Sequence, residues 1–303
     1  QYEIIESHIE KIGLILNEMT GRIENKKLVQ LKERDYVSIY LDIFQNNPKV
    51  SKQVVYDYLE SDRLPSYHPF VSYFDSLSPI EPKGNKSTIY KLFNSLNVEF
   101  ENEEEKRLCL GLFTKWLLQF ITSGYQVSAA ELMLVLTGKM GNGKTYLMKN
   151  LLPKSLDKYF ITIKDFPRKD EDAKAMMCEN ILVLRDDITG TGSKDKDWIK
   201  SVLSSETLTF RAPSQRSTDP PRRYAVLCAT TNDENVLGSD ERDNRRVFPL
   251  KVDNRDQIAF DKIMKDGIDL LWAELKYLYD DSKDKTMVTM TTSEEMEYLS
   301  SRD

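Results

Sequence analysis

The chain has 303 residues, 40% of them hydrophobic and 30% charged, and a net charge of −6. That size allows about two domains with a substantial core, and the acidic balance excludes nucleic-acid binding through a global positive field. Cys109, Cys178 and Cys228, with His8 and His68, lack metal-ligand or disulfide-framework spacing, which excludes a structural zinc site. The cysteines read as reduced core residues of a cytoplasmic protein. No apolar run reaches the roughly 18 residues that a membrane span needs. Gln1-Tyr2-Glu3 is neither an initiator nor a signal peptide, so the sequence reads as a fragment of a longer chain.

Residues 1–62 read as a small, mainly helical unit. Tyr2–Lys11 has helical spacing, and Gly13–Glu24 suits a hairpin turning at Met19-Thr20-Gly21. Asp35–Phe44 and Ser51–Leu59 are short amphipathic helices, the second capped by Ser51. Their Asn46-Asn47-Pro48 junction fits a winged-helix module, and fits generic packed helices as well. Residues 63–100, with Pro65, Pro69, Pro79 and Pro82, read as a linker or strap. An ATPase-type domain is expected over 101–303. It opens with an amphipathic helix, Glu101–Gly124, whose acidic start suits the positive helix N-terminus.

From residue 131 short apolar runs alternate with helices. Leu132–Thr137, Tyr159–Ile163, Ile181–Leu184, Tyr224–Ala229 and Val247–Val252 read as buried strands, and Asp261–Tyr279 as a further helix. The pattern predicts an α/β fold with a mainly parallel sheet flanked by helices. Gly138-Lys139-Met140-Gly141-Asn142-Gly143-Lys144-Thr145 matches G-x-x-x-x-G-K-[ST] between a strand and a helix. Gly138, Gly141, Asn142 and Gly143 let backbone N–H groups close around phosphates, Lys144 reaches the outer phosphates of ATP, and the Thr145 hydroxyl ligates Mg²⁺.

The Ile181–Leu184 strand ends in Arg185-Asp186-Asp187, the Walker B form. Asp186 is assigned to the metal and Asp187 to water activation, against a plain surface pair of aspartates. A strand and a helix fit between these two motifs, as in additional-strand ATPases. Tyr224–Ala229 leads into Thr230-Thr231-Asn232, where Asn232 suits a sensor that positions water from a strand between the other two. Arg245 and Arg246 precede the last strand. They are either solvated or supply a cation to a transferring phosphoryl group, from a neighbouring subunit if the enzyme is an oligomer. Lys200, Arg211, Arg216, Arg222 and Arg223 outweigh Glu206 and Asp219. Thr207–Arg211 and Arg223–Leu227 suit a hairpin arm contacting nucleic-acid phosphates, or an exposed charged loop.

In order, the P-loop, the acidic strand end, Trp198-Ile199-Lys200-Ser201, Phe210-Arg211-Ala212-Pro213, Ala229-Thr230-Thr231-Asn232 and Asn244-Arg245-Arg246-Val247-Phe248-Pro249 resemble the virulence-associated E family. So does Leu271-Trp272-Ala273-Glu274. The family is related to superfamily 3 helicases and viral primase–helicases. The resemblance implies an ATP- and Mg²⁺-dependent core in a homo-oligomeric ring, expected to be a hexamer, with trans-acting arginines and a DNA-contacting hairpin that favours single strands. It implies replication of a mobile element or phage, with a primase-like domain upstream. Leu184 departs from the family pattern, which carries a glutamate there and another at Asp187. That departure keeps open a second reading, an oligomeric ATP switch in phage interference that does not unwind DNA.

Overall fold

The computed structural model describes residues 1–165, 167, 170–188, 199, 201–203, 222–232, 246–253 and 256–301. Helix α1 (Tyr2–Ile12) stops at Gly13, whose left-handed φ of 65° suits a residue without Cβ. Strands β1 (Ile15–Asn17) and β2 (Arg22–Glu24) form an antiparallel hairpin where one is expected. Helices α2 (Glu33–Asn46) and α3 (Lys52–Leu59) follow, and Ser51 Oγ accepts the Val54 N–H as the N-cap of α3. Strand β3 (Ser66–Tyr67) then pairs in parallel with β1. One compact unit therefore spans Gln1–Ser72, running past the boundary expected at residue 62. Ile5, Ile9, Ile39, Ile43 and Val55 lie at its centre.

The stretch read as a strap holds two helices, α4 (Pro69–Ser76) and α5 (Thr88–Ser95). Their Phe70, Phe74, Leu92 and Phe93 side chains are buried. Pro69 opens α4 at the position where a missing N–H costs nothing, so here proline marks a helix start. Between α4 and α5, the segment around Pro79 and Pro82 is irregular.

The larger unit begins at Tyr73. Helix α6 (Glu103–Gly124) is capped by Asn102, whose Oδ1 accepts the Glu105 N–H. Strands β4 (Met133–Thr137), β5 (Phe160–Ile163), β6 (Leu182–Arg185), β7 (Val226–Thr230) and β8 (Val247–Lys251) form one sheet in the order β5-β6-β7-β4-β8. Every neighbouring pair is parallel. Helices α7 (Lys144–Asn150) and α8 (Asp170–Glu179) connect the strands. This is an α/β fold with a five-stranded parallel sheet flanked by helices. Strands β4 and β7 are buried along their whole length. Strand β5, expected to be buried, is partly exposed because it has a neighbour on one side only. The opposite edge, β8, accommodates Pro249 for the same reason.

Helix α6 is fastened to this sheet by polar as well as apolar contacts. Trp116 Nε1 donates to Leu227 O at 3.0 Å. The buried Gln119 accepts the Glu131 and Leu132 N–H groups and donates to Leu132 O, which fixes the entry to β4. The helix expected over Asp261–Tyr279 is two, α9 (Gln257–Asp266) and α10 (Ile268–Asp281), divided at Gly267. Helix α11 (Ser293–Ser301) closes the described chain. All three cysteines are buried, and none is in a disulfide. Among the described residues, no helix is long and apolar enough to cross a membrane.

Candidate functional site

Parallel pairing brings the C-terminal ends of β4, β6 and β7 together, and the loops leaving them carry the motif residues. From β4 the chain enters the phosphate loop through Gly138, Gly141 and Gly143, with φ values of 126°, 91° and 73°. At Gly138 the glycine is required by space as well as by φ, since an added Cβ would stand 2.3 Å from Val252 O. The same carbonyl accepts Asn142 Nδ2 at 2.8 Å, tying the loop to the end of β8. Gly138→Ala is expected to cost about 1–3 kcal/mol of strain, hence about tenfold or more in nucleotide affinity. An ATP-binding titration checks this, and parental affinity would show the turn to be dispensable.

Lys144, the first residue of α7, is 7% exposed. Its ammonium donates to Gly138 O at 2.6 Å, Lys139 O at 2.9 Å and Asn232 Oδ1 at 3.1 Å. Burial pulls its pKa below the ordinary lysine value, and the charges of Asp187 and Asp186 work in the other direction. Asn232 is oriented by both of its ends, because its Nδ2 donates to Asp187 Oδ1 at 3.4 Å. A flipped amide would point donors at the ammonium. Thr145 Oγ1 donates to Asp186 Oδ1 at 2.8 Å.

Asp187 adopts a left-handed backbone with φ 54°, a conformation that costs a non-glycine residue about 1–2 kcal/mol. Its N–H donates to Thr230 Oγ1, while Thr230 Oγ1 donates to Asp186 Oδ1 at 2.6 Å. Sequence reasoning passed over Thr230. The available signal was a hydroxyl at the last position of an apolar strand, directly before the sensor pair.

The chemistry of these groups fits a nucleoside triphosphate with Mg²⁺. The site offers backbone at positive-φ glycines, the buried Lys144 ammonium, and the Thr145–Asp186 hydroxyl–carboxylate pair. Mg²⁺ takes one or two such hard oxygens from protein and completes its shell with phosphate and water.

Gly138, Gly141, Asn142, Gly143, Lys144, Thr145, Asp186, Asp187 and Asn232 thus share one end of the sheet. Arg246 does not join them. It precedes β8, whose first residue pairs with Met133 and whose last pairs with Thr137, so it lies at the opposite strand end. The five residues between span about 16 Å, beyond an arginine's reach. Arg222 also precedes its strand, and it is exposed and donates to Gln126 O at 2.9 Å. Arg223 is buried and braces Ala130 O and Ala225 O. Of the expected second hairpin arm, Arg223–Leu227, the last two residues belong to β7. That strand is occupied on both sides by parallel neighbours. Lys200, Arg211, Arg216 and Arg245, with the first arm Thr207–Arg211, lie outside the described residues.

A family model for the virulence-associated protein E-like domain matches residues 86–303, well over half of the chain. The chain belongs to this VapE-like family. The VapE-like match begins just before α5 and takes in the whole sheet and the helices after it. Two solved apo structures of the NrS-1 C-terminal region share the fold at 14% identity. One gives a TM-score of 0.57 and covers 99% of this chain and 74% of that one. The other gives 0.58, covering 98% and 73%. Among curated proteins, none matches the VapE-like chain.

Proposed function

We propose that this VapE-like protein is an ATP-driven DNA helicase or translocase of a phage or mobile element, working as a ring oligomer, with six subunits as the expected number. The supporting observation is the hydrogen-bonded array across three strand ends. Lys144, Asn232 and Asp187 are bonded in series, Thr145 bonds Asp186, and Thr230 joins the two sets through Asp186 and Asp187. In this reading the loop glycines and Lys144 hold the phosphates, and Thr145 with Asp186 holds Mg²⁺. Bound Mg²⁺ neutralises charge on the phosphate oxygens. Asp187 accepts a proton from the attacking water, and Asn232 keeps that carboxylate and the Lys144 ammonium in register. The test is ATPase rate with and without single-stranded DNA, alongside mass in solution with ATP. An active, assembling protein indifferent to DNA would overturn the helicase reading.

The position of Arg246 supports a shared site. Too far from its own phosphate loop, it acts on a neighbour's nucleotide, and Arg245 is proposed for the same role. Mixing Lys144→Ala with Arg246→Ala subunits is expected to restore about a quarter of the parental rate or less, as intact shared sites reappear. No recovery despite confirmed mixed assembly would count against a trans arginine. For Lys200, Arg211, Arg216 and Arg222 we propose contact with DNA phosphates. Arg211→Ala or Arg216→Ala should weaken single-strand binding and flatten its salt dependence by about one unit of slope.

Leu184 favours a second reading. It is fully buried in β6, so the strand carries no carboxylate at the position where the family resemblance expects one. On this reading nucleotide binding orders an oligomer in phage interference without unwinding. ATP-dependent assembly with no strand displacement would select it.

A further inference from the structure

Three consecutive residues at the end of β7 supply bonds to Lys144, Asp186 and Asp187 of the proposed hydrolysis site. Asn232 is the expected one. The two before it make the denser set of bonds. Thr230 is 2% exposed and Thr231 1%. Thr230 Oγ1 gives its one proton to Asp186 Oδ1 and receives the Asp187 N–H at 3.1 Å. Thr230 O receives the Ile188 N–H at 2.8 Å. Thr231 Oγ1 donates to Ile188 O at 2.6 Å, and the Thr231 N–H donates to Leu136 O, the last residue but one of β4. The segment 186–188 is therefore held on its carboxylate, on two N–H groups and on a carbonyl. Asp187, with φ 54°, is at the middle of that clamp.

We infer that Thr230 is a positioning residue for ATP hydrolysis: its hydroxyl sets the Asp186 carboxylate for the metal and fixes the left-handed backbone that aims Asp187. The inference rests on the ATPase reading above. A hydroxyl is needed because one atom must both donate and accept. Valine has the same shape and can do neither, while serine can do both. Thr145 converges on the same carboxylate oxygen from the phosphate loop. Asp186 is thereby oriented from α7 and from β7 at once, and loss of the Thr230 bond frees it to rotate about the remaining one.

The experiment compares parent, Thr230→Val and Thr230→Ser for ATP affinity, kcat, KM and Mg²⁺ dependence, with thermal melts as a fold check. Thr230→Val is expected to lower kcat, or raise the Mg²⁺ concentration for half-maximal rate, by about 10–100-fold. ATP affinity without Mg²⁺ stays at the parental value, and Thr230→Ser recovers most of the loss. A residue that only packs the strand would show the reverse order, with valine tolerated and serine, which lacks the methyl group, impaired. That order, or parental kcat and Mg²⁺ dependence in Thr230→Val, overturns the inference. Should Thr230→Val not fold, serine decides alone: parental Mg²⁺ dependence supports the inference, and a large shift opposes it. A parent without ATPase activity would instead remove the reading beneath.

Discussion

Lys144→Ala is expected to lower ATP turnover by about 100- to 1,000-fold, the scale seen when one preorganised donor to a developing anion is removed. The loss follows from how the ammonium is held. Three oxygens, two of them loop carbonyls, surround it, so it points into the phosphate loop with its protons already directed. A phosphate that takes over those protons gains charge-assisted bonds and needs no reorganisation of the side chain's stem. The fold should survive the substitution. Burial already disfavours the charged form, as the lowered pKa shows, so removing the ammonium relieves a desolvation cost while it removes three bonds. Turnover near the parental rate in a folded Lys144→Ala protein would place the nucleotide elsewhere.

Glu274→Ala should give the largest loss of stability. Glu274 is 4% exposed and lies on α10, yet its bonds go to the start of α5. Its carboxylate accepts the Thr88 N–H at 2.7 and 2.9 Å, the Ile89 N–H at 3.1 Å and the Thr88 hydroxyl at 3.2 Å. Ser87 Oγ takes the Tyr90 N–H, and Gly84 O takes that of Ser87. Together they satisfy all four free donors of the helix N-terminus. Alanine leaves two buried N–H groups without acceptors, at about 1–3 kcal/mol each, partly offset by no longer burying a charge. A net loss of about 2–4 kcal/mol lowers the melting temperature by roughly 5–15 °C. A melt within about 2 °C of the parent would show that water reaches these donors. Glu274→Gln keeps one accepting oxygen and should fall between the two.

The strands and the phosphate loop were legible because each rests on local pattern. An apolar run of five residues, a glycine-rich turn and the start of a helix are contiguous in sequence, and the sheet order requires little beyond parallel pairing. The placement of Asn232, proposed as a sensor, after a strand between the other two could be read for the same reason, and β7 does stand between β4 and β6. What was not legible depends on partners distant in the chain. Nothing near Thr230 announces that it faces Asp186, 44 positions away. Nothing near Glu274 announces Thr88, 186 positions away. The helices α4 and α5 were hidden for another reason: they are eight residues each, too short for periodicity to outweigh the prolines around them. Arg223 shows the limit of a charge count. A buried guanidinium bonded to two carbonyls adds to a local positive sum without presenting charge to a partner.

Trp272 stands two residues before Glu274, and its Nε1 donates to Leu151 O at 3.2 Å, just past the last residue of α7. One helix thus grips the rear of the phosphate-loop helix and the front of α5 through neighbouring side chains. A self-sufficient domain carrying the candidate site cannot therefore be cut out at the edges of the sheet. Truncation ahead of Thr88 is tolerable for these contacts. Truncation between β8 and α10 would leave every residue of the candidate site in the chain and withdraw the support behind them.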